Sequence, residues 1–235
     1  MRVLWLLLLI LTVLLLFICY SILPTVIMRA FALGVFQRSK VPNKAALTFD
    51  DGPDPVYTPK LLDLCLEYKV KATFFVVGEH AAKHPEIIKR MQKEGHTIGI
   101  HHYRHLSNWF LSPWAVRRQC RQTADVIESI TGIRPQYYRP PWGHLNLSVK
   151  WASAPFKIIM WSAILGDWRL GLGREKLKKR LLDNVNGGAV IVLHDCGVNP
   201  GADEEAPAMM LRALEEFLDE IGGQYNFVTI DALAG

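Results

Sequence analysis

Between Val3 and Met28 the chain carries no charged side chain, and Leu6 to Phe17 is almost purely aliphatic. A helix crossing the hydrocarbon core of a bilayer needs roughly 20 apolar residues, so this run separates a membrane-type segment from everything that follows. The expected organisation is an N-terminal signal anchor or signal peptide over 1–28, a basic juxtamembrane linker over 29–44, and one folded domain over 45–235. Arg2 ahead of the run is the short positive start shared by cleaved signals and uncleaved anchors. Length favours the anchor, because a removable signal has an apolar core of roughly 7–15 residues. Ala30-Phe31-Ala32 fits a small-x-small cleavage pattern, with Pro24 able to interrupt the helix ahead of it, so secretion after cleavage is the alternative. Arg29, Arg38, Lys40 and Lys44 follow the run and by charge alone place the domain in the cytoplasm; the chemistry of the strand ends points outside.

The part after the linker, about 190 residues, is an ordinary single-domain length. With 50% hydrophobic residues a disordered chain is excluded. Lys and Arg number 27 against 22 Asp and Glu, a net charge of 27 − 22 = +5. No basic cluster is interleaved with aromatics, so nucleic acid is not an expected partner, nor is a protein partner implied. The charge is at most a bias toward anionic polymer. Cys19, Cys65, Cys120 and Cys196 form no Cys-x-x-Cys pair, which leaves no disulfide or zinc-finger framework; Cys65 and Cys120 read as buried thiols.

From Lys44 onward, β-rich runs alternate with helical patterns. Strands are expected at Ala45–Phe49, Ala72–Val77, Thr97–Ile100, Tyr137–Arg139, Lys157–Trp161, Ala189–Leu193 and Phe227–Ile230; helices at Pro59–Tyr68, Pro85–Glu94, Pro113–Ile130, Arg174–Val185 and Pro207–Ile221. Alternation of this kind argues for a parallel sheet with helices outside it. Seven strands are too few for an eight-fold barrel, so the expected fold class is α/β, a small distorted (β/α) barrel of about seven parallel strands behind one transmembrane helix. Chemistry in such folds gathers at the C-terminal strand ends.

Those ends carry an unusual set of side chains: Asp50-Asp51-Gly52-Pro53, His101-His102-Tyr103-Arg104-His105, Arg139-Pro140-Pro141-Trp142-Gly143, Asp167-Trp168 and His194-Asp195. His101 and His105 are four apart, so a helical turn would bring both imidazoles to one side. A nearby carboxylate completes a two-histidine, one-carboxylate set with an open position, the donor set of a hydrolytic zinc site. The Asp-Asp pair offers both a ligand and a neighbouring general base, and a bound metal brings the pKa of water from about 15.7 toward 7, within reach of a carboxylate.

Thr48-Phe49-Asp50-Asp51-Gly52-Pro53, His101-His102-Tyr103-Arg104-His105, Arg139-Pro140-Pro141-Trp142-Gly143, Asp167-Trp168 and Val192-Leu193-His194, in this order, resemble the five motifs of the polysaccharide deacetylases, carbohydrate esterase family four, over essentially all of 45–230. The resemblance implies a catalytic domain over 45–235 that removes N-acetyl groups from an amino-sugar polymer of the cell envelope, peptidoglycan favoured. It implies Asp50 as general base and Asp51, His101 and His105 as ligands of a divalent metal, usually zinc, with cobalt or another divalent ion possible. Arg139 would orient Asp50, and His194 would be the general acid, tuned by Asp167. Tyr103, Pro140, Trp142, Trp168 and Leu193 would contact substrate. The implied partner is an N-acetylated glycan, and the implied location is the cell membrane, single-pass, with the domain outside.

Two positions depart from the family pattern. Ile164 stands where the fourth motif usually begins with Asp, and His102 where the second usually has Ser or Thr. Ile164 supports the rival reading of a weak or inactive glycan-binding protein; a hydrolase of another non-peptide C–N bond is a third. His102 is expected as a neighbour of the metal site or a surface residue, less readily as a fourth ligand. Trp161 reads as a core aromatic, and His80 and His84 as surface residues.

Overall fold

The computed structural model describes residues 1–234. Along the chain lie α1 (Arg2–Phe17), a π-helical turn (Ile18–Ile22), α2 (Leu23–Ala30), β1 (Lys44–Asp50), α3 (Tyr57–Glu67), β2 (Thr73–Val76), α4 (Gly78–Lys83), α5 (Pro85–Lys93) and β3 (Thr97–Ile100). There follow α6 (Pro113–Thr131), β4 (Tyr137–Tyr138), α7 (Val149–Ala152), β5 (Lys157–Ile158), β6 (Ala163–Ile164), α8 (Arg174–Asn184), β7 (Val190–His194), α9 (Ala206–Ile221), β8 (Asn226–Phe227) and α10 (Ile230–Ala234). Local chemistry sets the boundaries. In α6, Ser112 accepts from the Ala115 N–H, Pro113 occupies the first turn and Gly132 ends the helix at φ 72°.

The sheet runs β5-β4-β3-β2-β1-β7-β6, every neighbour parallel, with β8 joining the start of β1. It curls into a half-barrel. The central strands are apolar on both faces, as a doubly covered parallel sheet requires: six of the seven residues of β1 are buried.

The flanks are more irregular than the sequence suggests. The strand expected over Tyr137–Arg139 is confined to Tyr137–Tyr138, and that over Lys157–Trp161 to Lys157–Ile158. Phe227–Ile230 divides into the end of β8 and the start of α10, whose Ile230 N–H donates to Thr73 Oγ1. The short elements α4, α7 and β6 lie where no strand or helix is expected from sequence. Strongly twisted neighbours diverge after two or three residues, too few to leave a periodic signal.

The segment 29–44 is not the linker expected of it. Val35 is in the core. Phe36 donates to the Ile158 carbonyl and accepts from Met160 N–H, bridging Ile159, while Ser39 N–H donates to the Gly188 carbonyl. This strap fills the gap between the β5 side of the sheet and β7. Its basic character hid the role: Arg38 is a bridge residue opposite Ala189 and bonds the Asn186 side chain.

The apolar helix is continuous over Arg2–Ala30, 29 residues, long and apolar enough to cross a membrane. Its two halves differ. No residue of α1 is buried, whereas Ser21, Pro24, Thr25 and Met28 are buried against the domain. Ser21 Oγ donates to the Trp109 carbonyl (2.9 Å), and Leu147 N–H donates to the Tyr20 carbonyl (2.8 Å). Thr25 Oγ1 accepts from Trp109 Nε1 (2.9 Å) and Leu145 N–H (3.0 Å). Replacing Thr25 by Val keeps the shape but strands two buried donors. Thr25→Val is expected to destabilise the detergent-solubilised full chain by about 2 kcal/mol, read as a lower urea midpoint; an unchanged midpoint would show that the helix is not docked.

Candidate active site

The last residue of β1 is Asp50, and its register partner on β7 is His194, so two neighbouring strands deliver a carboxylate and an imidazole side by side. Arg139, just beyond β4, reaches across the concave face. Its guanidinium lies 4.1 Å over the Phe75 ring and donates to Asp50 Oδ1 and Thr48 Oγ1, both at 2.7 Å. The pair is buried, with side-chain exposures of 0% for Arg139 and 4% for Asp50. A guanidinium sealed from water against a single carboxylate fixes that carboxylate in direction.

The chain then turns through an uncommon conformation. Asp51 has φ 81°, in the left-handed region, and its carboxylate lines the same cleft as that of Asp50. His80 and Asn199 both contact the Asp51 carbonyl, His80 through Nδ1 at 2.9 Å. Opposite lies the segment after β3, which is not the helical turn expected for the histidine pair. His102 (φ 63°) and His105 (φ 46°) are both left-handed, and this irregular loop brings the rings of His101 and His105 together with centroids 5.1 Å apart.

Nε2 of His101 and of His105 lie 3.3 and 3.1 Å from Asp51 Oδ1, and one potential ligand atom from each of the three residues lies within 4.8 Å of the others. His101 Nδ1 is 2.8 Å from the Arg139 carbonyl, so that nitrogen donates and Nε2 carries the lone pair. Asp51 Oδ1 and His105 Nδ1 are buried without a hydrogen-bond partner. Burial works to raise the Asp51 pKa, but the contacts with His101 and His105 outweigh it and hold the carboxyl well below its usual range. Burial lowers the His105 pKa, against Asp51, and favours the neutral ring. An ionised carboxylate facing imidazole lone pairs is the protonation state that a divalent cation requires, so these residues fit a metal.

His194 differs from the histidines around it. Its N–H donates to Asp167 Oδ2 at 2.6 Å, and its Nδ1 lies 3.2 Å from both Asp167 oxygens. Burial lowers its pKa, but Asp167, followed by Asp51 and Asp50, raises it to about 10. Nε2 of a protonated His194 is therefore free to donate into the cleft. His102 has neither nitrogen free: Nδ1 is 2.8 Å from the Leu106 carbonyl, Nε2 is 2.7 Å from Tyr138 Oη, and burial lowers its pKa to about 3. It braces the loop from behind and is not a ligand.

The cleft above these groups holds about 380 Å³ and is walled by Trp142, Trp161, Trp168 and Val192. Trp142 packs on His105 (4.3 Å) and Trp168 stands edge-on to His194 (5.3 Å). Trp161 is buried yet faces the cleft as well as the core. Gly143, at φ 66°, lies so close to Trp161 that a Cβ there would come within 2.4 Å of the indole.

Three expected substrate contacts lie elsewhere. Side chains alternate along β7, so Val192 and His194 face the cleft and the fully buried Leu193 faces the other side. Tyr103, turned by the left-handed His102, packs its ring against Gly78, and its N–H donates to Gln119 Oε1. Pro140 is buried, its carbonyl accepting from Gly143 N–H. His80, expected at the surface, instead steadies Asp51, and His144 joins the cleft wall. Ile164 is half exposed in the same wall and removes no contact between Asp167 and His194. The Cys65 and Cys196 thiols, both raised to about 12 chiefly by burial, take no part.

A family model described as polysaccharide deacetylase matches residues 37–158. The chain is 42% identical over 163 residues to a peptidoglycan-N-acetylglucosamine deacetylase of Bacillus cereus, covering 68% of this chain and 58% of that protein. A second B. cereus peptidoglycan-N-acetylglucosamine deacetylase is 35% identical over 202 residues, 83% of this chain and 91% of the relative. Peptidoglycan-N-acetylmuramic acid deacetylase PdaC of Bacillus subtilis is 33% identical over 189 residues, 80% of this chain but only 38% of PdaC. The chain thus spans less than two thirds of the first and third of these relatives. A solved structure of a peptidoglycan N-acetylglucosamine deacetylase matches with TM-score 0.78 at 32% identity, covering 88% of this chain and 95% of that one. The structure of PdaC matches with TM-score 0.72 at 31% identity over 83% and 91% of the two chains. Motif order, fold and matched length agree, and the chain belongs to the polysaccharide deacetylase family.

Proposed function

We propose that this chain hydrolyses N-acetyl groups of an amino-sugar polymer of the cell envelope, with peptidoglycan the favoured substrate. The observation that carries the reading is the juxtaposition of Asp50, paired with a buried Arg139, with a protonated His194 on the adjacent strand, both beside Asp51, His101 and His105. The names of the relatives supply the substrate class. Asp51, His101 and His105 would hold a divalent ion, zinc the first candidate and cobalt another. Such an ion, when bound, supplies Lewis-acid polarisation of the acyl oxygen and acidifies water.

The chain's own residues handle the protons. Asp50 accepts one from the attacking water as the new C–O bond forms. His194 gives one to the amide nitrogen as the C–N bond breaks, so that acetate and an amine leave. Asp167 keeps His194 in the donating form and aimed at the cleft, and Trp142, Trp168 and Val192 present apolar surface to the acyl methyl. The complete proton-handling set favours turnover over a purely glycan-binding role.

The same reading places the domain on the outer face of the cell membrane, held by an uncleaved helix. Cleavage after Ala32 would strip Ser21, Thr25 and Met28 from the domain and leave Trp109 Nε1 and Leu145 N–H without their acceptor. That loss supports retention of the helix.

Acetate release from N-acetylglucosamine oligomers is expected to vanish on chelation and return with zinc. Asp50→Asn should lower it by about 10²–10⁴-fold while the protein still binds one equivalent of metal; full activity in that variant would remove Asp50 from the role of base. The acid form of His194 persists below about pH 10 and is lost as pH rises through that value. In Asp167→Asn the main cause of the raised pKa is gone, so the alkaline limb of kcat/KM should move to lower pH by about 1–3 units. An unmoved limb would show that another group sets it.

A further inference from the structure

The exposed part of the apolar helix, Arg2–Phe17, is 16 residues, or about 24 Å at about 1.5 Å per residue. A hydrocarbon core of about 30 Å takes about 20 helical residues, which carries the membrane boundary to about Ser21. Ser21, however, is bonded to the domain, at the Trp109 carbonyl. Tyr20 is held at the same level by Leu147 N–H and by Ser148 Oγ, and Phe17 stacks on Phe110 at 5.6 Å. The helix therefore does not hand the domain over to a spacer. Its membrane-depth residues are already in contact with the loops 107–111 and 145–148.

The surface beside that contact has the composition of a lipid interface. Phe110 is 77% exposed, Leu147 73%, Trp114 72% and Trp151 53%. Trp114 and Trp151 meet edge to face at 6.4 Å, with the Arg117 guanidinium 4.3 Å over the Trp151 ring. Between Leu106 and Ala124, and between Gly143 and Phe156, there is no Asp or Glu, while Arg117, Arg118, Arg121 and Lys150 all fall there. Exposed aromatics flanked only by cations suit the headgroup layer of an anionic bilayer.

We propose that Phe110, Trp114, Leu147 and Trp151 form a lipid-contact rim resting in the interfacial layer of an anionic bilayer, continuous with the emerging helix. The inference rests on the anchored reading above. It deepens that reading, because the rim and the cleft share a wall: Trp109, in edge contact with Phe17, stacks at 3.7 Å on His144, which lines the cleft beside Trp142. The cleft is held at the lipid surface and serves membrane-proximal glycan, with no swing into the distal polymer.

The test is nitroxide depth measurement on the full chain, with Cys19→Ser to remove the exposed thiol, in phosphatidylcholine–phosphatidylglycerol nanodiscs. Single labels are placed through Phe110→Cys, Leu147→Cys, Leu9→Cys on α1, and Leu66→Cys on the remote helix α3. The expected ratio of oxygen to nickel-complex accessibility is several-fold higher at 110 and 147 than at 66, and highest at 9. A lipid signature at 9 with water signatures at 110 and 147 overturns the rim alone and leaves the anchor standing. A water signature at 9 overturns the anchor and the rim with it. Protection of 110 and 147 that arises only with added N-acetylglucosamine oligomer, or with dipolar broadening between copies, assigns the face to glycan or to a second chain and overturns the lipid assignment.

Discussion

A charged guanidinium buried at the centre of a parallel sheet is tolerable only if every neighbour is arranged around it, and Arg139 imposes that condition on the whole upper half of this domain. Besides Asp50 and Thr48, it donates to the carbonyls of Ile159 and Met160, each at 3.2 Å. Thr48 passes the connection on to the Ile191 carbonyl of β7. One side chain thereby joins β4, β1, β7 and the chain after β5 across the concave face. Breaking such a pair by removing one partner costs about 3–5 kcal/mol, because an uncompensated charge is left behind. The same bonds that make Arg139 structurally necessary fix the direction of the Asp50 carboxylate, so the fold and the geometry of the site rest on one interaction.

Around this pair the backbone holds a cluster of unusual conformations. Asp51, His102, His105 and Trp142 all have positive φ without being glycine. Each such residue costs of order 1–3 kcal/mol and persists only where the surroundings determine it. Here the surroundings are His80 and Asn199 on the Asp51 carbonyl, Tyr138 and Leu106 on the His102 ring, and the indole of Trp142 against His105. The strain serves direction: without the turn at Asp51, two consecutive strand carboxylates would point to opposite faces, and Asp50 and Asp51 would not share a cleft.

Much of this arrangement is legible in the amino-acid sequence. Strand and helix alternation locates the central strands to within a residue or two, and polar residues at strand ends mark the rim where Asp50, Asp51, His101, His105, Arg139, Asp167 and His194 meet. What the sequence conceals, it conceals for identifiable reasons. Left-handed residues that are not glycine carry no sequence signal, so the loop at His101–His105 resembles a helical turn and Tyr103 reads as aimed at the cleft. The two-residue period of β7 exchanges Leu193 for Val192, a distinction that needs the orientation of the sheet. His80 acts on the Asp51 backbone rather than on the chemistry, and the strap around Phe36 acts through main-chain bonds, which composition does not reveal. The apolar run is visible as a stretch long enough to cross a membrane, but its last turns are packed against the domain.

The most direct measurement is acetate release from purified peptidoglycan by the zinc-loaded full chain, with mass spectrometry of the digested muropeptides. The account predicts one acetate for each free amine formed on the glycan, with the amide bonds of the peptide stems intact. Binding of the polymer with no acetate released at any zinc concentration, while the isolated protein carries a full equivalent of metal, would contradict it.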